Sequence, residues 1–177
     1  MRADTTSLVQ AYVAVGSNIE PERNIPRALQ FLAEKATIDA VSTFYRTAPV
    51  GPSRQPPFLN GVCAVTTELS AQQLKFDVLR GIEDALGRVR TEDKYAPRTI
   101  DLDIALFGDL VVDTPNLHIP DPDILTRPFL AAPLLELAPH LKLPSTGEAL
   151  RDIVQRQNAD SMIPDKDFTE ELKARIH

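Results

Sequence analysis

The sequence predicts an α+β fold in which helices are laid on a single antiparallel sheet. Three observations point there. Stretches with period-two alternation are interleaved with stretches whose apolar residues recur every three or four positions, in the order β-α-β and then β-α-β again. After the last of these strands, Gly108-Asp109 marks a turn that predicts a short hairpin partner around Val111-Val112. The 177 residues, 43% hydrophobic and 25% charged, suffice for one domain with one substantial core.

The elements follow in order. Val9, Ala11, Val13 and Val15 alternate on one face of a first strand, which stops at Gly16-Ser17-Asn18. Pro21 opens a helix with Ile25, Ala28, Leu29 and Leu32 as its apolar stripe. Ile38 to Arg46 predicts a second strand, followed by a proline-rich loop from Ala48 to Pro57. Asn60 to Glu68, rich in Val and Thr, predicts a third strand. Ser70 and Gln73 form a capping box, and the helix behind them carries Leu74, Val78, Ile82 and Leu86 before ending near Gly87. A charged loop, Arg88 to Arg98, leads to the strand Thr99 to Phe107. Helices are expected from Phe129 to Leu137 and from Glu148 to Gln155. Residues 1–155 are expected to form a single domain. The remainder, 156–177, reads as a polar tail, mobile to about Ile163, with a possible terminal helix docking through Phe168, Leu172 and Ile176. This order suits a ferredoxin-like core better than a doubly wound sheet.

Composition narrows the function. Neither G-x-G-x-x-G nor G-x-x-x-x-G-K-[ST] occurs, so a dinucleotide fold and a P-loop are unsupported. The net charge of −6 argues against nucleic acid as a partner. No stretch is long and apolar enough to span a bilayer, and the first fifteen residues lack signal-peptide character. A single cysteine, Cys63, sits in an apolar run and reads as a buried small hydrophobe. A cytoplasmic monomer is expected. Fifteen prolines against seven glycines predict loops of restricted shape.

The chemistry concentrates in Arg98-Thr99-Ile100-Asp101-Leu102-Asp103-Ile104. On a strand, residues two apart point the same way, so Asp101 and Asp103 project together, their Cα atoms about 6.5–7 Å apart. Such a pair suits a hard cation such as Mg²⁺. A D-x-D alone is also compatible with the solvated face of an edge strand. Arg88, Arg90 and Arg98, with Lys94 in the same loop, add the guanidinium groups that a polyphosphate requires. Surface ion pairs are the plainer alternative for these. Phe58, Asn60 and Phe129 could sandwich a flat polar ring and read its edge, although each Phe is equally at home in a core. His118, His140 and His177 have no metal-ligand spacing.

Several strings occur together in order. They are Tyr12-Val13-Ala14-Val15-Gly16-Ser17-Asn18, Phe44-Tyr45-Arg46-Thr47, Phe58-Leu59-Asn60, Gly87-Arg88-Val89-Arg90, Ala96-Pro97-Arg98-Thr99-Ile100-Asp101-Leu102-Asp103-Ile104 and Pro133-Leu134-Leu135-Glu136-Leu137-Ala138-Pro139. With them the chain resembles the 6-hydroxymethyl-7,8-dihydropterin pyrophosphokinases of folate biosynthesis from about Ala11 to Val154. The resemblance implies transfer of pyrophosphate from ATP to the pterin hydroxymethyl group, with release of AMP. It implies two Mg²⁺ ions on Asp101 and Asp103, and Arg88 and Arg98 as catalytic residues on the triphosphate. Glu83, Arg90, Ile104, Asp121 and Arg127 match further nucleotide positions. Phe58 and Phe129 match the stacking rings, Asn60 the edge reader, and Thr47, Ala48 and Val50 the backbone of the pterin pocket. Asp101 or a metal-bound oxygen is a candidate to help take the alcohol proton. Three mobile loops would correspond to Gly16–Asn24, Ala48–Phe58 and Arg88–Arg98.

Departures from the family pattern are local. Asp121 stands where a histidine usually contacts the ATP phosphates, and an aspartate does not do that without a metal or water. Tyr95 stands for a frequent tryptophan and Phe58 for a frequent tyrosine. Two other readings stay open on the residues alone. One is a ferredoxin-like sensor module that binds a small ligand without turnover. The other is a different Mg-dependent transferase on the same scaffold.

Overall fold

A computed structural model describes residues 7–51 and 54–176 of the chain. Residues 1–6, Pro52 and Ser53 of the proline-rich loop, and His177 lie outside the described residues.

Strand β1 (Val9–Ser17) runs through the middle of an antiparallel sheet and is followed by α1 (Pro21–Ala33). Then come β2 (Thr37–Val41), β3 (Tyr45–Thr47) and β4 (Phe58–Thr67). A π-helical stretch, Gln73–Leu79, continues into α2 (Arg80–Ala85), and β5 (Asp101–Phe107) closes the repeat. The strand order is β5-β1-β4-β3, with β2 also paired to β4, so β4 inserts between the two strands that α1 connects. This is the split β-α-β arrangement expected from the element order.

Alternation divides the sheet into two faces. Val13, Val15, Leu59, Cys63, Leu102 and Ile104 join Ile25, Leu29, Leu74, Leu79 and Ile82 in the larger core, against α1 and the π-helical and α2 segment. On the other face Val62 and Leu106 pack with Leu130, Leu134, Leu150 and Ile153 of α3 (Pro128–Leu137) and α4 (Leu150–Gln155). Cys63 is fully buried, and burial pushes its thiol up to about 12, so it behaves as a small apolar side chain. The Ser70–Gln73 capping box forms in both directions, at 2.9 and 3.1 Å.

Four expectations need correction. The strand foreseen from Ile38 to Arg46 breaks at Ser42-Thr43-Phe44. There the Ser42 hydroxyl accepts the Val62 N–H at 2.9 Å, and Phe44 turns its fully buried ring onto β4. Gly61 makes room for that ring, since a Cβ there would lie 2.7 Å from it. The hairpin foreseen after Gly108-Asp109 does not pair with β5. The Asp121 N–H donates to the β5 carbonyl of Ala105 at 2.9 Å, and β6 (Val112–Thr114) pairs instead with β7 (Leu117–Ile119) in a separate two-stranded sheet. Helical spacing by fours gives way to a π turn, so that Leu74 and Leu79, five apart, are buried and Val78 is only half-buried. Finally, Gly16 and Ser17 belong to β1 and Pro21–Asn24 to α1, which leaves little of the first foreseen loop.

The segment after residue 155 contributes to the main core. Ile163–Pro164 (β8) pairs with β3, and α5 (Lys166–Ile176) buries Phe168, Thr169 and Leu172. Asp165 caps α5 through the Phe168 N–H at 3.1 Å and holds Arg46 of β3 at 2.8 Å. The Thr169 hydroxyl accepts the Phe44 N–H at 2.9 Å, and the Phe44 and Phe168 rings meet edge to face at 5.5 Å. Phe168→Ala should therefore cost about 3–5 kcal/mol of unfolding free energy. Urea denaturation checks this, and a loss below about 1 kcal/mol would mean that the segment is not part of the core.

Candidate active site

The site lies on the α3 face of the sheet, beyond the helices. In register, Asp101 of β5, Gly16 of β1 and Asn60 of β4 form one row across three strands, with Asp103, Ala14 and Val62 in the next. Small residues on the central strand leave a floor between the two carboxylates on one side and Asn60 on the other. Gly16 is required there: a Cβ would come 2.4 Å from Asn60 Oδ1. Asn60 Nδ2 donates to Thr47 Oγ1 at 2.8 Å, which orients the amide.

One cavity is lined by Thr47, Ala48, Val50, Phe58, Asn60 and Phe129, together with Tyr95, Arg98 and Asp101. All six residues expected around a flat ring thus meet in one place. A neighbouring cavity is lined by Ala14, Gly16, Asp101, Asp103, Asp121 and Asp123, and shares Asn60, Asp101 and Phe129 with the first. Among the described residues, no group of three or more His, Cys, Asp or Glu side chains is arranged to hold a metal ion.

The expected strand geometry holds: Ile100, Leu102 and Ile104 are buried while Asp101 and Asp103 face the cleft. Arg88 Nη1 donates to Asp101 Oδ1 at 2.8 Å, and Arg98 donates to Asp101 Oδ2. Burial opposes the charge on Asp101, but Arg98 and Arg88 outweigh it and hold the carboxyl below its ordinary range. Glu83 lies behind them. It is nearly buried, accepts from Arg88, and pairs with Arg90 at 2.9 Å, while Arg90 also reaches Asp84 at 2.8 Å. Gly87, at φ 76°, ends α2 and turns the chain so that these arginines fold back over it. Ile104 points into the core, away from the cleft. Arg127 is the N-cap residue of α3, and its backbone carbonyl accepts from Leu130 and Ala131 at 3.1 Å. Neither side chain lines the two cavities.

Asp121 sits where its own N–H is bound to β5, and its carboxylate caps the short turn Pro122–Leu125 through the Asp123 N–H at 2.9 Å. Burial, with the negative charges of Asp103 and Asp123 added, pushes this carboxyl up to about 7.

Sequence reasoning missed two residues. Asn18 reads there as the end of a strand and as part of a family string and loop, with no role of its own. In the fold it is buried, donates to Gln55 Oε1 at 2.8 Å, and accepts the Arg98 N–H at 2.8 Å, tying the 48–57 and 88–100 connections together. Lys75 places Nζ 2.6 Å from Asp103 Oδ1. The fourfold apolar spacing gave no signal for it, because a π turn sets its direction.

A sheet that carries paired carboxylates beside arginines, next to a cavity faced by two phenyl rings, defines a phosphoryl-type transferase with a flat acceptor. The family model described as 7,8-dihydro-6-hydroxymethylpterin-pyrophosphokinase (HPPK) matches residues 12–139. A 2-amino-4-hydroxy-6-hydroxymethyldihydropteridine pyrophosphokinase of Pseudomonas aeruginosa is 44% identical over 138 residues, covering 76% of this chain and 84% of the relative. Its namesake in Haemophilus influenzae is 36% identical over 159 residues, covering 88% and 98%. The chain belongs to this pyrophosphokinase family. Its fold is shared with the crystal structure of wild-type Plasmodium falciparum HPPK-DHPS with pterin and p-hydroxybenzoate, at a TM-score of 0.65 and 15% identity. The match covers 85% of this chain, which spans 42% of that longer one.

The raised Asp121 gives a stability test. Its unfolded value is about 3.9, so between there and 7 the folded state holds the extra proton. The stability that this contributes is complete below pH 4 and is lost as pH rises through 7. Asp121→Asn keeps an acceptor for the Asp123 N–H and removes the ionisation. In metal-free protein its melting temperature should therefore gain on the wild type from pH 5 to about pH 7 and level off above that. Parallel curves would refute the burial argument.

Proposed function

We infer that the chain transfers the β,γ-pyrophosphoryl group of ATP to the hydroxymethyl oxygen of 6-hydroxymethyl-7,8-dihydropterin and releases AMP, a step of folate biosynthesis. The observation that carries this is the family match across residues 12–139, which contains the whole row from Asp101 through Gly16 to Asn60. In this reaction an O–P bond forms between the alcohol oxygen and the β-phosphorus, the bond from the β-phosphorus to the oxygen bridging it to the α-phosphorus breaks, AMP leaves with that oxygen, and the alcohol proton passes to solvent.

The reading assigns residues as follows. Phe58 and Phe129 stack on the pterin, Asn60 reads its edge, and Thr47, Ala48 and Val50 complete that pocket with backbone groups. Arg88 and Arg98 take the triphosphate with Arg90 beside them, and Arg88 also braces Asp101 against Glu83. Magnesium, as two ions, would be held by Asp101 and Asp103, whose hard oxygens suit it, and would supply charge neutralisation on the triphosphate. Asp101 is a poor proton acceptor, because Arg98 and Arg88 lower its basicity. Its part is to position. Asp121, a carboxylate in the cleft wall, leaves the usual cationic contact to other side chains. The reading takes the chain to act as a cytoplasmic monomer on small-molecule substrates.

Incubation with ATP, Mg²⁺ and the dihydropterin should yield AMP. Formation of ADP instead would contradict pyrophosphoryl transfer. Asp103→Ala should lower kcat about 10²–10³-fold or more while the far-ultraviolet spectrum is preserved. Retained turnover would exclude Asp103 from the metal site.

A further inference from the structure

Lys75 has no role in the reading above, yet it is the cation closest to Asp103. Asp101 is balanced by two arginines, whereas the only cation paired with Asp103 among the described residues is Lys75, at 2.6 Å. The lysine side chain is 19% exposed. It starts from the π-helical stretch, whose buried Leu74 and Leu79 lie on the core face of the sheet, while Asp103 faces the opposite side. The side chain therefore passes round the edge of β5, the outermost strand. An extra residue in the turn from Leu74 to Leu79 accompanies this direction. A long side chain held in such a path loses rotamer freedom, which the ion pair must offset.

The surroundings decide what that ammonium is for. Asp101, Asp103, Asp121 and Asp123 line one cavity, and a triphosphate entering it would meet four carboxylates. The arginines stand on the Asp101 side. Lys75 supplies positive charge on the Asp103 side, and it already couples electrostatically to Asp121. An ammonium and a divalent cation cannot share Asp103 Oδ1 at close range without strong repulsion unless an anion lies between them. Phosphate oxygens are such anions, and a lysine has three rotatable donors with which to follow them.

We propose that Lys75 is a nucleotide-binding residue of this chain. It neutralises Asp103 in the empty site and moves onto the triphosphate when the metal–nucleotide complex occupies it. The proposal rests on the pyrophosphokinase reading only for the identity of the anion.

The two halves of this proposal predict changes of opposite sign. In Lys75→Met, Mn²⁺ alone, followed by electron paramagnetic resonance on nucleotide-free protein, should bind about tenfold more tightly because its competitor is gone. Calorimetry with Mg²⁺ and the non-hydrolysable α,β-methylene analogue of ATP should show binding about tenfold weaker, the effect of losing roughly 1.4 kcal/mol. Lys75→Arg should restore nucleotide binding to within a few-fold of the wild type. Both affinities unchanged, both weakened together, or tighter metal with unchanged nucleotide would each overturn the proposal. Unfolding of Lys75→Met is checked by its melting curve, and Lys75→Gln, with the same two readouts, replaces it if that variant does not fold. If wild-type protein forms no AMP, the functional reading fails, while competition between Lys75 and Mn²⁺ at Asp103 is still measured.

Discussion

The register of three antiparallel strands is the constraint on which the rest of the site depends. Pairing Gly16 with Asp101 on one side and Asn60 on the other brings a carboxylate and an amide to one line, with only a glycine between them. A one-residue slip of β5 would turn Asp101 and Asp103 into the core and bring Leu102 into the cleft. The buried partners of the opposite face, Val13, Val15, Leu102 and Ile104, oppose such a slip, because each is removed from water only in this register. The core and the site are therefore set by one choice of pairing, expressed on opposite faces.

That row and the next concentrate negative charge on β5. Two unit charges at the spacing of alternate strand residues, about 7 Å, repel by about 2 kcal/mol at an effective dielectric of 20. The structure meets this in three different ways. Asp101 is bracketed by guanidinium groups from the 88–100 connection, Asp103 by an ammonium from the helical segment behind the sheet, and Asp121 by its affinity for a proton. Only the first could be anticipated from sequence, where Arg88, Arg90 and Arg98 lie beside the acids. The other two require Lys75 and Asp121, 28 residues before and 18 after Asp103, to converge on β5.

What could be read from the sequence was what is decided locally. Strand alternation, the α1 stripe and the Ser70–Gln73 box involve neighbours within a few positions, and they appear in the fold as expected. The breaks in the pattern were set by distant partners. Phe44 leaves its strand with its ring in the space that Gly61 leaves, and β6 pairs with β7 while the Asp121 N–H, not β6, meets the Ala105 carbonyl of β5. The π turn was hidden for a related reason. Val78 and Leu79 are both apolar, so which one is buried depends on packing rather than on residue type. The ring-facing residues Phe58, Asn60 and Phe129 gave only a weak composition signal and became a group through the family strings. The cavity in which they meet exists only after β4 and α3 are brought together.

Strand-borne and loop-borne parts of the site divide along the same line. Asp101, Asp103 and Asn60 are on paired strands, where displacement would break ladder hydrogen bonds and expose core. The arginines, with Ala48 and Val50 of the ring pocket, are on connections that have no regular structure. Those connections are not independent, because the Asn18 amide is buried with one end on Gln55 and the other on the Arg98 N–H. Moving one connection away at its base would leave a buried polar group without a partner, at a cost of about 1–3 kcal/mol. Both connections are thereby held at their bases beside the end of β1, and the Gln55 amide, which also donates to the Tyr95 carbonyl, joins them to each other. Phosphoryl-type transfer depends mostly on positioning and charge neutralisation, and this division supplies both: acids fixed by the sheet, and cations on connections tied to it.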